Sequence, residues 1–528
     1  MAAGDSEAYM EDKGKTAVAR ATGVLMASTI LSRLLGYVRD ILIATIYGQT
    51  RVTDAYLAAF SIPDFLYNLL VAGTVTAAFI PVFSRYISTD RDSEGWEVAS
   101  TIYNIAIVIM LIGVVAAGVL APSIVSVLVP GYEPEYKRLT VTMTRIMLGQ
   151  AFFMGLNGIS AGVLQSYQRF TEPAIASVMY NAMIIAFGAT LSAGLGIQAF
   201  AIGVVAGAVA QFATLAYGLR RVGFKWKPVM LWKHPGVRRV YLLMIPVFLS
   251  YALTQIGLFV QQNISSSLPG VVSAMRNAQR LMMLPVSIFA ITMVIAIFPT
   301  LNTQIARGEM DAFKESCAFG LSSIFFITVP CAVGLAVLGG PIVRALYQQG
   351  SFTAQNAAVT ANILVFFCVG LFAQGGVHLM NRVFYATQNT WIPVIIGACG
   401  IVINILLNYA LIIPMGAGGL SLAYSLAGIV TLSLLIYVAG RKIGFTISKK
   451  LAASFAKIVG MSAVMGAAAF YVSRFMENHM VSVGAKTGQL LQVGSGVAAG
   501  AAVYFALSVA LKMDEIEMVK QALRRKRS

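Results

Sequence analysis

Arg33 and Arg39 lie within the first apolar stretch of the sequence, and Arg276 and Arg280 lie within a later one. A guanidinium at membrane depth costs about 3 kcal/mol on insertion scales, so it persists only where it faces a polar cavity or a partner. Guanidinium groups are also well suited to phosphate, which they bind through planar, bidentate hydrogen bonds. These residues therefore predict a membrane protein with a cationic cavity for an anion, and a phosphate group fits that cavity best.

The spacing of the four arginines indicates how they are presented. Arg276 and Arg280 are four residues apart and share one helix face, which could hold a pyrophosphate. Arg33 and Arg39 are six residues apart and do not share a face of a straight helix. Gly36 lies between them and permits a bend or local unwinding, and a broken helix is tolerated in a membrane only where it lines a cavity.

Uncharged and acidic side chains complete the predicted site. Asn68 and Gln279 add hydrogen-bond donors without charge, and we place them with the four arginines in the substrate-binding set. Asp40 could pair with a neighbouring arginine. Asp54 lies at the outer start of the second predicted span, and we group it with Asp40 and Gly36 as structural or gating positions.

Three structural readings compete with these functional ones. Arg39 and Asp40 could form a salt bridge that only holds the fold. Asp54 could be a helix N-cap. Arg276 could snorkel to the membrane surface and never face a cavity.

The composition places these residues in a membrane. Hydrophobic residues make up 58% of the 528 residues and charged residues 11%, and the mean hydropathy is +0.78. Apolar segments of spanning length, about 20 residues each, recur along the chain. The sequence thus predicts an all-α polytopic membrane protein with about fourteen transmembrane helices.

Catalytic and metal-binding patterns are not found in the sequence. The three histidines are far apart, and no phosphate-binding loop or metalloprotease motif is present. The four cysteines lie in apolar segments at irregular spacing and are predicted to pack in the core: Cys317, Cys331, Cys368 and Cys399. We expect a transporter that is not an enzyme and that has no cofactor and no metal site.

The lysines and arginines predict the orientation. With the N-terminus inside, 27 of the 38 basic residues fall on the cytoplasmic side and six outside, so both termini are predicted to be cytoplasmic. The formal charge of +17 is explained by this topology and by anionic lipids. Nucleic-acid binding is not required to explain this positive charge.

An internal repeat organises the chain. Pro122 and Gly131 recur as Pro341 and Gly350 at an offset of 219, and Gln168 recurs as Gln388 at an offset of 220. An offset that contains six spans gives parallel repeats, whose site lies at the interface of the halves. We therefore predict two parallel six-helix lobes around a central cavity, followed by two C-terminal helices. The predicted segments are an N-tail (1–16), an N-lobe (17–220), a basic linker (221–237), a C-lobe (238–440), the two last spans (441–511) and a basic tail (512–528).

The stretch 31–86 contains the motifs RLLGYVRD, DAYLAAFSIPDFL and AFIPVFSRY, and further motifs are AQRLMMLPVSIFA at 278–290 and QGSFT at 349–353. The first stretch resembles the amino-terminal signature of the MurJ family of lipid II flippases, and the later motifs continue the similarity. The family lies in the larger superfamily that includes MATE exporters. The resemblance implies a bacterial inner-membrane protein that moves undecaprenyl-pyrophosphate-linked peptidoglycan precursor, lipid II, to the outer leaflet by alternating access.

The resemblance also implies roles for individual residues. Arg33, Arg39 and Arg280 match the family's cavity arginines, and Asp54 matches an important acid. The last two spans would help form a groove for the polyprenyl tail. The implied partners are lipid II, the phospholipid bilayer and other membrane proteins of cell-wall synthesis.

The sequence departs from the family pattern at three places. Tyr67 and Asn68 stand where many relatives carry two arginines, Ala72 replaces a nearby acid, and Gln279 replaces the acid that often precedes the matched Arg280. Arg276 is a candidate replacement donor. Two other transporters and a non-transporting scaffold stay open as alternatives. A polysaccharide-lipid flippase would use a similar cationic cavity, whereas a drug or cation antiporter would need cavity acids, which are scarce here.

Overall fold

The computed structural model describes residues 27–70, 78–89, 91–479 and 485–516, and all regular elements in these ranges are helices. The predicted N-tail, the start of the first span, Ala72 and most of the basic tail lie outside the described residues. The helices are α1 (27–47), α2 (Arg51–Ala59), α3 (Ser61–Leu70), α4 (Ile80–Ser88), α5 (Asp92–Leu128), α6 (Pro134–Ser166), α7 (Thr171–Leu195), α8 (Gln198–Arg221), α9 (Pro235–Ser265), α10 (Val271–Pro285), α11 (Ile291–Ala306), α12 (Met310–Tyr347), α13 (Ala354–Val369), α14 (Leu371–Ala386), α15 (Trp391–Met415), α16 (Ala417–Ile443), α17 (Lys449–His479) and α18 (Ala485–Ala510).

Many of these helices are long and apolar enough to cross a membrane. Ten of the described helices pass that test, or eleven if the bent pair α13 and α14 is one span. In α15 the most apolar window has a mean hydropathy of 2.2, yet only 17% of it is buried within the protein. Such an exposed apolar surface requires lipid around it. The protein is therefore an all-helical, multi-pass membrane protein, and the number fourteen stays a prediction.

Two predicted spans differ in detail from the sequence expectation. The second span was predicted to start at Asp54, but helix begins at Arg51 and is interrupted at Phe60, where α2 ends and α3 follows. Gly36 was predicted to permit a bend or local unwinding of the first span. The unwinding does not occur, because α1 is helical without interruption from 27 to 47.

The predicted repeat is visible in the local backbone. α7 and α15 both span 25 residues, and their first residues, Thr171 and Trp391, are 220 apart. Gln168 and Gln388, which the sequence singled out, both adopt left-handed conformations, with φ of 57° and 58°. Each closes the preceding helix in the same manner, because the next amide bonds back to a carbonyl five residues earlier. Helix bounds and helix ends thus recur at the predicted offset.

One pair of repeated helices is not alike. α6 is continuous, whereas its counterpart is divided into α13 and α14, which bend by 44° at Gly370. A Cβ at Gly370 would lie 2.5 Å from the Cα of Ser425 in α16. The Ser425 hydroxyl donates to the carbonyl oxygens of Phe366 and Phe367, which helps to satisfy them at the bend. The close approach of α16 explains the break.

The described residues form two compact units, the first ending at Ser267 and the second beginning at Leu268. In the first unit, α9 packs against α3, α4 and α5. In the second, α12 packs against α17 and α18. The contact boundary therefore falls after α9, whereas the repeat assigns 238–440 to the second lobe. The predicted lobes and the cavity between them stay predictions.

Candidate anion site and the Arg51 cluster

Arg39 is held in a defined position by two polar neighbours in the first unit. Its Nε donates to Asp40 Oδ1 at 3.0 Å, and a terminal nitrogen lies 3.0 Å from the same oxygen. Its other terminal nitrogen donates to Asn181 Oδ1 in α7 at 3.2 Å. The predicted pairing of Asp40 with a neighbouring arginine is confirmed. A guanidinium has five N–H donors, so these contacts orient Arg39 and still leave donors for an anion.

Asn181 is the residue that sequence reasoning missed in this network. Its amide nitrogen donates to the hydroxyl of Ser32 at 3.2 Å, while its oxygen accepts from Arg39. Asn181 thus fastens α7 to α1 and fixes the Arg39 side chain between them. A Cβ at Gly36 would meet Asn181 Oδ1 at 3.8 Å, so Gly36 lies on the α1 face that packs near this amide. Asn181 is a polar residue in an apolar span, and this is the same sequence signal by which the arginines were identified.

The other predicted residues of the first unit are arranged differently. Arg33 is exposed, on another face of α1 from the half-buried Arg39, as expected for a straight helix. Asn68 donates from Nδ2 to the carbonyl of Asp64 at 2.8 Å, within its own helix. The Asn68 amide was predicted to donate hydrogen bonds to a substrate, but one of its two N–H groups is bonded to the backbone of its own helix.

In the second unit the predicted residues lie together on α10. Arg276 is exposed and Arg280, one turn later, is half-buried, although the two share a helix face. Gln279 forms a side-chain hydrogen bond with Tyr424 of α16. The structure therefore places Arg276, Gln279 and Arg280 on one helix, and the choice between substrate contact and snorkelling for Arg276 stays open.

Asp54 is not a helix N-cap, which corrects that alternative. The residue before α2 is Thr50, whose hydroxyl donates to the Tyr47 carbonyl, while Asp54 lies in the first turn of α2. It is fully buried. A carboxylate in the first turn is stabilised by the positive end of the helix dipole. Asp54 is also close enough to Tyr132 to act on it: burial raises the pKa of the Tyr132 phenol, and the charge of Asp54 raises it further.

Arg51 forms a second polar centre that the sequence did not single out. The Arg51 cluster, defined here as Arg51, Gly131, Tyr132, Glu133 and Ser266, joins α2 to the α5–α6 loop and to the end of α9. Arg51 donates to the carbonyl oxygens of Ser266 at 2.5 Å and Gly131 at 3.2 Å. Its guanidinium lies 5.0 Å from the centre of the Tyr132 ring and 3.5 Å from a Glu133 carboxylate oxygen.

Gly131 allows this junction to close. A Cβ there would lie 2.6 Å from the Cα of Ser267 and 2.7 Å from the carbonyl oxygen of Ser266. The Gly131 amide also donates to the Ser266 hydroxyl at 3.1 Å. In the sequence, Gly131 stands out only as a landmark of the repeat, and Arg51 is one of the basic residues outside the spans. No sequence pattern links the two, because they are 80 positions apart.

The cysteines need no site of their own. Cys317 and Cys368 are buried and Cys331 is half-buried, but Cys399 is exposed, so the prediction of core packing is wrong for Cys399. It lies on an outward face of α15, a helix whose apolar window is mostly exposed. No group of three or more histidine, cysteine, aspartate or glutamate side chains with metal-binding geometry occurs among the described residues.

Comparison with known proteins places this membrane fold among proteins of one family. The family model described as "Lipid II flippase MurJ" matches residues 43–487. A protein of Rhizobium tropici named "Probable lipid II flippase MurJ" is 27% identical over 513 residues, which cover 95% of each chain. The solved structure "Lipid II flippase MurJ, inward closed conformation" aligns with a TM-score of 0.77 at 26% identity, over 93% of this chain and 99% of that one.

A more distant structure shares the fold alone. An inward-facing multidrug resistance MATE transporter of the MOP superfamily aligns with a TM-score of 0.67 at 14% identity, over 80% of this chain and 98% of that one. The common architecture therefore extends beyond one substrate class. The chemistry of the site has to come from the side chains.

Proposed function

This chain belongs to the lipid II flippase MurJ family, and we propose that it carries lipid II from the inner to the outer leaflet of a bacterial cytoplasmic membrane by alternating access. The observation that carries the proposal is the family match over most of the chain. It agrees with an intramembrane guanidinium, Arg39, that is oriented by Asp40 and Asn181 and retains free donor capacity. Both termini are proposed to be cytoplasmic, as the basic residues predict.

Arg39 is the proposed pyrophosphate contact of the first unit. A pyrophosphate is a dense anion, and a guanidinium that is already positioned loses less conformational entropy on binding it than a mobile lysine would. Asp40 does not cancel this role, because it engages the guanidinium on one edge through a single oxygen. Arg280 is the proposed contact of the second unit, and Arg33, Arg276, Asn68 and Gln279 are proposed to contact the headgroup. Other cell-wall proteins stay predicted partners.

The function is tested by depletion in the native host. We expect lipid II to accumulate on the inner leaflet when the protein is depleted, and its level on the outer leaflet to fall. The measurement is the amount of each lipid-linked precursor in each leaflet, with accessibility to an externally added enzyme as the readout of sidedness. Accumulation of a different polyprenyl-pyrophosphate sugar, with unchanged lipid II, would instead identify a polysaccharide-lipid flippase.

The polyprenyl tail is proposed to lie along α17 and α18. Both helices are rich in small residues, which allow close packing on one side and a shallow apolar surface on the other. Gly496 and Gly500 of α18 face Leu338, Ala469 and Met465, with contacts from a Cβ of 3.1 to 3.4 Å. Gly494 is exposed, and a Cβ there would meet nothing within 4 Å.

Gly494→Phe therefore tests the tail surface without disturbing the packed side. We expect the variant to fold, because the new ring enters open space, and to transport full-length lipid II more slowly than a short-chain analogue. The measurement is the transport rate of both lipids in proteoliposomes. Gly496→Phe is the reference for a packing defect and should reduce both rates equally. Equal loss of both rates in Gly494→Phe would contradict a tail-binding role.

A further inference from the structure

A pocket lies in the second unit, apart from the residues discussed above. It has a volume of about 340 Å³ and is formed by the start of α12, the segment that joins α16 to α17, the start of α17 and the helical residues 514–516 that follow α18. Its lining includes apolar side chains such as Phe319 and Phe445. It also includes three carboxylates, those of Glu315, Asp514 and Glu515, of which only that of Glu515 is buried.

Glu515 is placed to bind a ligand in this pocket. The residue is 7% exposed. Its Oε1 accepts hydrogen bonds from Ser322 of α12 and from Ser454 of α17, the latter at 3.2 Å. Its Oε2 is buried and has no hydrogen-bond partner in the part of the chain that the structure describes. A buried carboxylate is stable when it is paired or coordinates a cation, and half of this one is not yet satisfied by protein.

Three oxygen atoms converge beside the pocket. Ser322 Oγ and Ser454 Oγ are 3.1 Å apart, and both contact Glu515 Oε1. Each hydroxyl can donate its one proton to the carboxylate, which supplies no proton when it is ionised. The lone pairs of the two hydroxyls and the buried Glu515 Oε2 are then acceptors that a cation could bind.

The surrounding charges favour a cation of single charge. Lys450 of α17 pairs with Asp514 at 2.7 Å and also interacts electrostatically with Glu515, while Lys314 pairs with Asp311 at 3.3 Å. Among the described residues, the charged side chains that line the pocket are two lysines and three carboxylates, so the lining carries one negative charge in excess. Calcium and magnesium prefer sites with more oxygen ligands or with phosphate. One carboxylate with two hydroxyls suits a hard monovalent cation, and the pocket has room for the water that would complete its coordination.

We propose that Glu515, Ser322 and Ser454 bind a monovalent metal cation, with Na⁺ as the primary candidate. The three ligands come from α12, from α17 and from the helical residues 514–516 that follow α18. The bound ion would fasten the C-terminal pair of helices to α12. This proposal does not depend on the identity of the transported lipid.

The test is Na⁺ binding by the purified full-length protein. Bound ²²Na⁺ is measured by equilibrium dialysis, and thermal unfolding is compared in sodium chloride and choline chloride at equal ionic strength. We expect Glu515→Gln to bind one equivalent of Na⁺ fewer than the parent protein. The rise in melting temperature on going from choline chloride to sodium chloride should also be smaller in this variant. Asp514→Asn is the matched control, since it alters the adjacent exposed carboxylate, and it should keep both.

Ser454→Ala gives the same test if Glu515→Gln does not fold. It removes one oxygen ligand and keeps the carboxylate, so Na⁺ binding should weaken while the protein remains folded. Unchanged ²²Na⁺ binding in both variants would overturn the proposal. A second outcome would also overturn the proposal. If the melting temperature of the parent depends on pH but not on Na⁺, and Glu515→Gln removes that pH dependence, a proton and not Na⁺ occupies the site.

Discussion

Arg39→Ala is expected to abolish transport of lipid II while the protein still inserts into the membrane. A hydrogen bond to a charged group contributes about 1.5–3 kcal/mol, so the loss of a bidentate phosphate contact should weaken lipid II binding by about ten- to a hundredfold. Arg39→Lys should restore binding only in part, because an ammonium lacks the planar fork. The measurements are lipid II affinity of the purified variants and growth of a depleted host.

Asp40→Asn separates the two roles of the Arg39 pair. If the pair only holds the fold, removing either charge should be equally harmful, since both lose the contact at 3.0 Å. If Arg39 binds pyrophosphate, Asp40→Asn keeps the guanidinium and removes a nearby negative charge, so lipid II affinity should stay equal or rise. Equal loss of affinity in Arg39→Ala and Asp40→Asn would reject the phosphate contact.

Arg145→Ala is a matched control for a membrane arginine. Arg145 also lies within an apolar span, but its Nε donates to the carbonyl of Gly118 at 3.0 Å on an exposed face. We expect near-normal lipid II binding in this variant and a clear loss in Arg280→Ala. Similar losses in both would mean that any intramembrane arginine is required for folding, which would remove the special role of Arg280.

The contrast between Arg39 and Arg51 shows what the sequence can and cannot predict. Arg39 was identified because an arginine in an apolar span is costly wherever it lies, and the adjacent Asp40 supplied its partner. The all-helical membrane fold and the repeat were predictable for similar reasons, since hydropathy and landmark spacing are properties of the chain itself. Arg51 stands outside the spans, where an arginine costs nothing on average, so hydropathy gives no signal.

Long-range packing decided the features that were missed. The partners of Arg51 are the carbonyl groups of Gly131 and Ser266, and a carbonyl carries no residue identity that a sequence pattern can detect. The Asn181 amide is likewise 142 positions from Arg39. Gly36 was predicted to permit a bend or local unwinding of α1. A glycine allows such conformations but does not by itself favour them over a helix that is stabilised by its neighbours. The intact helix already places Arg33 and Arg39 on different faces. Tertiary contacts therefore fixed what local propensity left open.

The Arg51 cluster provides the second large expected effect. Arg51→Ala should lower the free energy of unfolding by about 2–4 kcal/mol, because it leaves two carbonyl oxygens at a largely buried junction without a donor. Arg51→Lys should recover little, since one ammonium cannot reach both carbonyls in the geometry of the guanidinium. Glu133→Gln should change stability by less than about 0.5 kcal/mol, because its side chain is 57% exposed and screened by water. Thermal unfolding of the purified variants measures each effect.

Gly131→Ala approaches the same junction from its other side. Its Cβ would lie 2.6 Å from backbone atoms of Ser267, so the α5–α6 loop must move away from the end of α9 and break the Arg51 bonds. The double variant Arg51→Ala/Gly131→Ala should then be little less stable than either single variant, because residues that share one contact are not additive. Arg138→Ala, which changes an exposed arginine nearby, should leave the melting temperature unchanged. Additive losses in the double variant would show that Arg51 and Gly131 act at separate places, and the cluster would not be a single structural unit.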